Sequence, residues 1–263
     1  MDLQTIERLA EQFLMAEATC TPIEVPSVDY PEMTVEDGYR IQREIVTRKV
    51  ASGQRVVGKK IGLTSRANQE VFGVHEPVYG QLMASGVHAE NTPIDTALLI
   101  QPIIECEITF VMRRRLQGPG LTVPDVLRAT DGIMPSVELG DSRMRNWIGR
   151  ATAADILADS CGSSGIILGG EMHSVRQFDL RYTGMVVEKN GDIIATAASG
   201  AVMGNPAQSV AWLANKLAEF ELALEEGELV LSGALSGAVH MQAGDILKAT
   251  FGGGLGAVGV RFI

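Results

Sequence analysis

Near residue 55 the chain changes texture, and no other feature limits its possible folds as much. Before it, Ile6, Leu9, Ala10, Phe13 and Leu14 recur at the i, i+3, i+4, i+7, i+8 spacing of one apolar helix stripe. Pro22, Pro26 and Pro31 then impose an extended linker. Thr34 followed by Asp37 makes a capping-box pattern that opens a second helix, with Tyr39, Gln42, Ile45, Val46 and Val50 inward and Gly53 as its stop. After it come short β-type runs punctuated by glycine, at 55–63, 98–112, 133–139, 184–195, 228–232, 245–251 and 257–262. Asn190-Gly191, between two β-type runs, is a hairpin signal. Asn205 as N-cap and Pro206 at N1 open one more helix, with Val210, Leu213, Ala214 and Leu217 on one face. The expectation is an α+β chain, with a helical segment over 1–54 and a β-rich domain over 55–263.

Composition sets outer bounds. At 263 residues, 46% hydrophobic and 21% charged, the chain has the composition of a folded domain with a sizeable core. Lys+Arg 22 against Asp+Glu 32 leaves a net charge of −10, which argues against nucleic acid as a partner. The one basic run, Arg113-Arg114-Arg115, reads as a solvated hairpin tip. No stretch approaches the ~18 apolar residues of a membrane span, and the N-terminus shows no signal-peptide pattern. Cys20, Cys106 and Cys161 are odd in number and widely spaced, which suits reduced thiols in a cytoplasm. The four histidines lack zinc-site spacing. Gly252 to Gly256 lacks the Lys-Ser/Thr of a phosphate loop and reads as a turn between the last two strands.

The segment richest in chemistry is Ile103 to Val111. Side chains alternate across a strand, so Ile104, Cys106, Ile108 and Phe110 share one face while Glu105, Glu107 and Thr109 share the other. Two carboxylates about 7 Å apart repel unless something positive lies near them. One reading is a solvated outer face, where water screens the pair. The other is a site for a hard cation such as Mg²⁺ or Mn²⁺, with Glu138 from the run Met134-Pro135-Ser136-Val137-Glu138 as third oxygen ligand. Asp141, Asp155 and Asp159 are weaker candidates, and Asp141 and Asp155 read as cap or turn residues. In Gly58-Lys59-Lys60-Ile61-Gly62, alternation sends one lysine inward and the other outward. The inward lysine of the two, near a cation and an anionic substrate, would have a lowered pKa and shuttle protons; the other reading is a pair of solvated lysines.

At these residues the chain resembles the 2-oxo-alkenoate hydratases and decarboxylases of catechol meta-cleavage pathways, in the fumarylacetoacetate hydrolase-like superfamily. The resemblance runs over about residues 30 to 263. It rests on Asp29-Tyr30-Pro31-Glu32-Met33-Thr34, Gly58 to Ser65, Glu105-Cys106-Glu107, Pro135-Ser136-Val137-Glu138 with Asp141-Ser142-Arg143, and Arg261-Phe262-Ile263. It implies a mixed β-roll or sandwich core with an N-terminal helical segment. It also implies Mg²⁺ (or Mn²⁺) on Glu105, Glu107 and Glu138, with Lys60 as catalytic acid/base. Thr64, Ser65 and Asp159 are the implied contacts to a small 2-oxo acid, the cation serving as Lewis acid toward it. Homo-oligomers, and association with a related hydratase or decarboxylase, are implied as well.

The same resemblance separates two reactions. The hydratases carry an Asp in a Pro-Asp-Phe/Tyr-Gly motif, where it can handle the proton of water; this chain reads Pro77-Val78-Tyr79-Gly80, closer to the decarboxylases' Pro-Ile-Tyr-Gly. Leu116 to Gly120 and Val187 to Gly191 also look decarboxylase-like, whereas Arg145-Asn146-Trp147 is similar to the hydratases' Arg-Asp-Trp. The favoured expectation is decarboxylation of 2-oxo-3-hexenedioate (4-oxalocrotonate) to 2-hydroxypenta-2,4-dienoate, with hydration of that dienoate as the alternative. A non-catalytic partner and a C–C hydrolase are more distant readings. Two departures stand out: the family's Ala-Asp-Asn-Ala-Ser is here Ala158-Asp159-Ser160-Cys161-Gly162, and Gly-His-Pro is Gly204-Asn205-Pro206. Gly162 lacks the family's hydroxyl, and Ser160 or Ser163 is expected to substitute in binding the substrate.

Overall fold

A computed structural model describes residues 1–263. Seven helices lie at α1 (Leu3–Thr19), α2 (Pro26–Asp29), α3 (Val35–Ala51), α4 (Arg66–Val71), α5 (Val123–Ala129), α6 (Ala153–Ala158) and α7 (Pro206–Ala218). Thirteen strands accompany them. The first seven are β1 (Val56–Gly62), β2 (Val78–Met83), β3 (Val87–Ala89), β4 (Pro93–Ile94), β5 (Pro102–Met112), β6 (Thr130–Asp141) and β7 (Ser163–Leu168). The rest are β8 (Gly184–Lys189), β9 (Asp192–Ala198), β10 (Leu229–Leu231), β11 (Val239–His240), β12 (Ile246–Phe251) and β13 (Gly256–Phe262). One sheet runs β2-β1-β10-β5-β6-β7-β3, with β11 also paired to β5; the other runs β4-β13-β12-β8-β9. Both are mixed, and one core spans them, from Ile104, Ile108 and Phe110 to Leu247, Val258 and Phe262. This is the α+β arrangement expected from the residues, with the mixed β-roll core that the resemblance implies.

The helix signals act where they were read. Thr34 and Asp37 form a reciprocal capping box on α3, and the Asn205 side chain accepts from Ala207 N at the start of α7. The linker differs from the expected extended chain. Pro26 supplies a ready-made helical φ at N1, so Pro26–Asp29 closes one helical turn. Arg113, Arg114 and Arg115 are exposed, but they follow β5 on a long connection through α5 rather than a hairpin tip.

A second apolar cluster joins Ile6, Leu9, Phe13, Ile41 and Ile45 of α1 and α3 to Met144, Ala154 and Ala158. Trp147 and Ile156 pack at its margin. The helical segment therefore rests on the residue 144–158 region that follows β6, and through it on the site.

Candidate metal centre and substrate cavity

Strand pairing alone collects the acidic residues. In the antiparallel β5–β6 ladder Glu105 faces Glu138 and Glu107 faces Ser136, so all four side chains lie on one side of the sheet. Lys60 reaches the same side through Leu231 of β10, which pairs with both Lys60 and Thr109. Glu105, Glu107 and Glu138 each offer an oxygen within 4.8 Å of the others. Thr109 Oγ1 donates to Ser136 Oγ at 2.7 Å, and Ser136 Oγ donates to the Glu107 carbonyl at 3.2 Å, tying down the floor beneath them.

The carboxylates lack partners of their own. Gly233 N–H donates to Glu107 Oε2 at 2.7 Å, but Glu107 Oε1 and both Glu138 oxygens are buried without a hydrogen bond. Lys60 Nζ stands 3.0 Å from Glu138 Oε1 as a charge contact and donates to the Cys161 carbonyl at 3.1 Å. Burial, reinforced by the Glu138 and Glu105 charges, pushes the Glu107 carboxyl well above the carboxylate range. Burial lifts Glu138 to about 7, with Lys60 pulling down and Glu105 pushing up. Orphaned buried oxygens on Glu107 and Glu138, converging with the half-buried Glu105, fit a hard divalent cation, which would meet them with a charge Lys60 alone does not supply.

Burial works against the Lys60 charge, yet Glu138 and the neighbouring acids outweigh it and hold the ammonium above its ordinary value when these carboxylates alone surround it. The lowering expected of Lys60 belongs to a site that also holds a cation. Lys59 is also buried rather than solvated; its Nζ lies 2.6 and 2.7 Å from the two oxygens of Glu228.

Glycine is required at two places here. Gly233 has φ 117°, and an added Cβ would fall 2.5 Å from Thr64 Cγ2. At Gly80 an added Cβ would fall 2.4 Å from the Ser160 carbonyl, so this glycine lets the 160–162 turn approach β2.

A cavity of about 200 Å³ opens above the acidic floor. Lys60, Glu105, Glu138 and Asp159 line its polar side, and Phe72, Val78, Trp147 and Ile156 its apolar side. Val78 pairs with Gly62 across β1–β2, two residues from Lys60, so its side chain shares the Lys60 face. Asp159 is 2% exposed; its Oδ2 accepts from Ser142 Oγ at 2.9 Å and from Arg143 N at 3.0 Å. Asp141 accepts from Ile100 N and Gln101 N at the end of β6, and Asp155 caps α6 with Thr152, the structural roles expected of both.

Thr64 and Ser65 line an adjoining space that shares Glu105, Gly62 and Leu63 with the first. Ser65 also caps α4, its Oγ accepting from Asn68 N at 3.2 Å. Ser160 and Ser163 stand elsewhere, on a small separate pocket with Glu17, Lys49 and Arg143. Ser160, Cys161 and Gly162 have φ of 52°, 56° and 67°, a left-handed turn that presents Cys161 and Gly162 to the main cavity and Ser160 away from it. The expected hydroxyl substitution is therefore absent from that cavity. Cys161 brings a thiol that burial pushes up to about 12, which keeps it protonated.

The Cys161 carbonyl and Arg143 escaped notice as site residues. A backbone acceptor has no sequence signature, whereas Arg143 was visible within Asp141-Ser142-Arg143.

Comparison with known proteins agrees with this geometry. A family model, fumarylacetoacetate (FAA) hydrolase C-terminal, matches residues 56–263. The 4-oxalocrotonate decarboxylase of Pseudomonas sp. (strain CF600) is 42% identical over 255 residues, covering 97% of this chain and 96% of that protein. The 2-oxo-hept-4-ene-1,7-dioate hydratase of Escherichia coli is 38% identical over 266 residues, covering 100% and 99%. The solved structure of 4-oxalocrotonate decarboxylase from Pseudomonas putida G7, complexed with magnesium and adipate, superposes with a TM-score of 0.96 at 39% identity over 100% of this chain and 99% of that one. Decarboxylase and hydratase relatives thus stand at similar distance, and divalent metal accompanies the fold. The chain belongs to the fumarylacetoacetate hydrolase C-terminal family, as an enzyme of the metal-dependent decarboxylase and hydratase group that its motifs resemble.

Proposed function

We propose that the chain is a carboxy-lyase that removes CO₂ from the far end of a 2-oxo-3-enedioate, converting 2-oxo-3-hexenedioate to 2-hydroxypenta-2,4-dienoate. The observation that carries this is Val78. It is 3% exposed, lines the cavity on the Lys60 face, and its hydrocarbon can neither take a proton from water nor return one. Decarboxylation needs no activated water, so the cavity loses nothing by having valine there.

Glu105, Glu107 and Glu138 would hold Mg²⁺ (or Mn²⁺), which when bound supplies Lewis-acid polarisation of the 2-oxo group. The remaining work falls to the chain. Lys60 Nζ, fixed between Glu138 and the Cys161 carbonyl, carries the proton that ends on the C2 oxygen as the C–CO₂ bond breaks. The walls of Phe72, Val78, Trp147 and Ile156 exclude water from the reacting carbons. Thr64, Ser65 and Asp159 are the proposed polar contacts to substrate. Three free cysteines suit the cytoplasm, and the homo-oligomer and the association with a related hydratase or decarboxylase carry over from the resemblance as proposals.

A second reading, hydration of 2-hydroxypenta-2,4-dienoate to 4-hydroxy-2-oxopentanoate, is favoured by Trp147 in the cavity wall, within a hydratase-like Arg145-Asn146-Trp147. A non-catalytic partner would have no use for two buried, unpaired carboxylates converging with a third. Purified protein with Mg²⁺ is to be supplied with the enedioate and, separately, with the dienoate. CO₂ release from the first with the dienoate left intact is expected, and Val78→Asp should then gain measurable dienoate hydration. Loss of dienoate without CO₂ release would replace the decarboxylase reading with the hydratase one.

A further inference from the structure

Asp159 presents an electrostatic problem. The cavity is lined by four acidic residues, Glu105, Glu138, Asp141 and Asp159, against one cation, Lys60. A bound metal answers the first two. An ionised Asp159 would repel a substrate that carries two carboxylates. Its Oδ2 is taken by Ser142 and Arg143 N, but Oδ1 is buried with no hydrogen-bond partner. The nearest cation, Arg143 Nη1, is 3.5 Å away and donates instead to the Asp141 carbonyl at 2.9 Å.

Arg143 is also shared. Its Nη2 donates to Glu17 Oε2 on α1 at 3.0 Å and to the Ser163 carbonyl at 2.9 Å, and Glu17 is in turn held by Lys49 of α3 at 2.7 Å on both oxygens. The guanidinium thus serves two carboxylates and is closer to Glu17. Around Asp159 stand Arg143 and Asp141 from the end of β6, Glu17 from α1, Lys49 from α3 and the Cys161 thiol. Across the cavity are Lys60, Glu105 and Glu138.

We propose that Asp159 enters the substrate complex as a neutral carboxylic acid, donating from Oδ1 to a substrate carboxylate, and that Glu17 acts as a positioning residue that favours this state by drawing Arg143 away. The direction of its titration agrees: burial lifts the Asp159 carboxyl to about 6, although Arg143 and Ser142 pull the other way. A substrate anion at Oδ1 would raise it further. The inference rests on reading the cavity as a dicarboxylate site.

The test uses the Mg²⁺-loaded protein and adipate, a saturated dicarboxylate lacking the 2-oxo-enoate group. Binding is followed by titration calorimetry at about pH 7.5 in two buffers of different ionisation enthalpy, which gives the protons taken up. Wild type is expected to take up about one proton per adipate, a linkage of binding to protonation. Asp159→Asn, a permanent neutral donor, should take up none and still bind. Glu17→Gln hands Arg143 to Asp159, so adipate should bind about tenfold more weakly, one unit of proton affinity, and recover as the pH is lowered. Proton uptake retained in Asp159→Asn, none in wild type, or Glu17→Gln affinity equal to wild type would overturn the proposal. Failure of adipate to bind at all overturns the dicarboxylate reading and this inference with it. Proton-linked adipate binding without CO₂ release from the enedioate would support the inference and remove only the decarboxylase reading.

Discussion

Glu107 is the carboxylate with least freedom. One oxygen is bound by Gly233 N–H at 2.7 Å, and the other is buried and bare, facing the oxygens of Glu105 and Glu138. Its amide replacement keeps the shape and the Gly233 bond but removes the charge a hard cation needs. Glu107→Gln is therefore expected to weaken Mg²⁺ binding by at least the ten- to hundredfold known for losing an outer partner of a metal ligand, and to abolish turnover. Titration of activity against Mg²⁺ checks this; full activity with unchanged metal dependence would remove Glu107 from the ligand set.

Among the elements, α7 shows how a local departure from the family pattern is absorbed. Asn205 stands where the motif of the resembled family reads Gly-His-Pro, a departure visible in the sequence, and its Oδ1 accepts from Ala207 N at 2.9 Å while Pro206 opens the helix. Asn205→Ala should cost about 1 kcal/mol of stability, the ordinary cost of an N-cap, read as a lower melting temperature with Mg²⁺ affinity unchanged. Features of this kind were legible in the residues: the α3 capping box, the Asn190-Gly191 hairpin and the β5 alternation each act over a few positions. Helices α5 and α6 use the same Thr-x-x-Asp box, at Thr122/Asp125 and Thr152/Asp155, but at seven and six residues they are too short to show a period. The turn at 160–162 was illegible for a different reason. Only Gly162 of its three left-handed residues is a glycine, so serines expected in the cavity face another pocket. Lys59 was misread because alternation distinguishes two faces of a strand without saying that both are buried.

At the scale of the whole molecule, the acidic floor ties stability to pH. Without metal, burial raises Glu138 from 4.5 to about 7 and raises Glu107 as well. A raised carboxyl means that the folded chain holds its proton more tightly than the unfolded chain does. Its stabilising effect is present below about 4.5 and lost as pH rises through about 7. A bound cation takes the proton's place, so the rise in melting temperature on adding Mg²⁺ should be larger near pH 8 than near pH 5.5. Groups remote from the centre largely cancel in that difference, and scanning calorimetry with and without metal measures it. An increment independent of pH would mean that the carboxylates are already ionised without metal.

The three acidic side chains all ride on β5 and β6, whereas the apolar rim is drawn from the loop after α4, from β2, from residue 147 and from α6. The metal-holding floor and the apolar rim thus reside on separate stretches of chain. Substitution at Phe72, Trp147 or Ile156 would reshape the space offered to longer, shorter or differently substituted acids without displacing Glu105, Glu107 or Glu138. Such a division allows gene duplicates to diverge in diet without reinventing their chemistry.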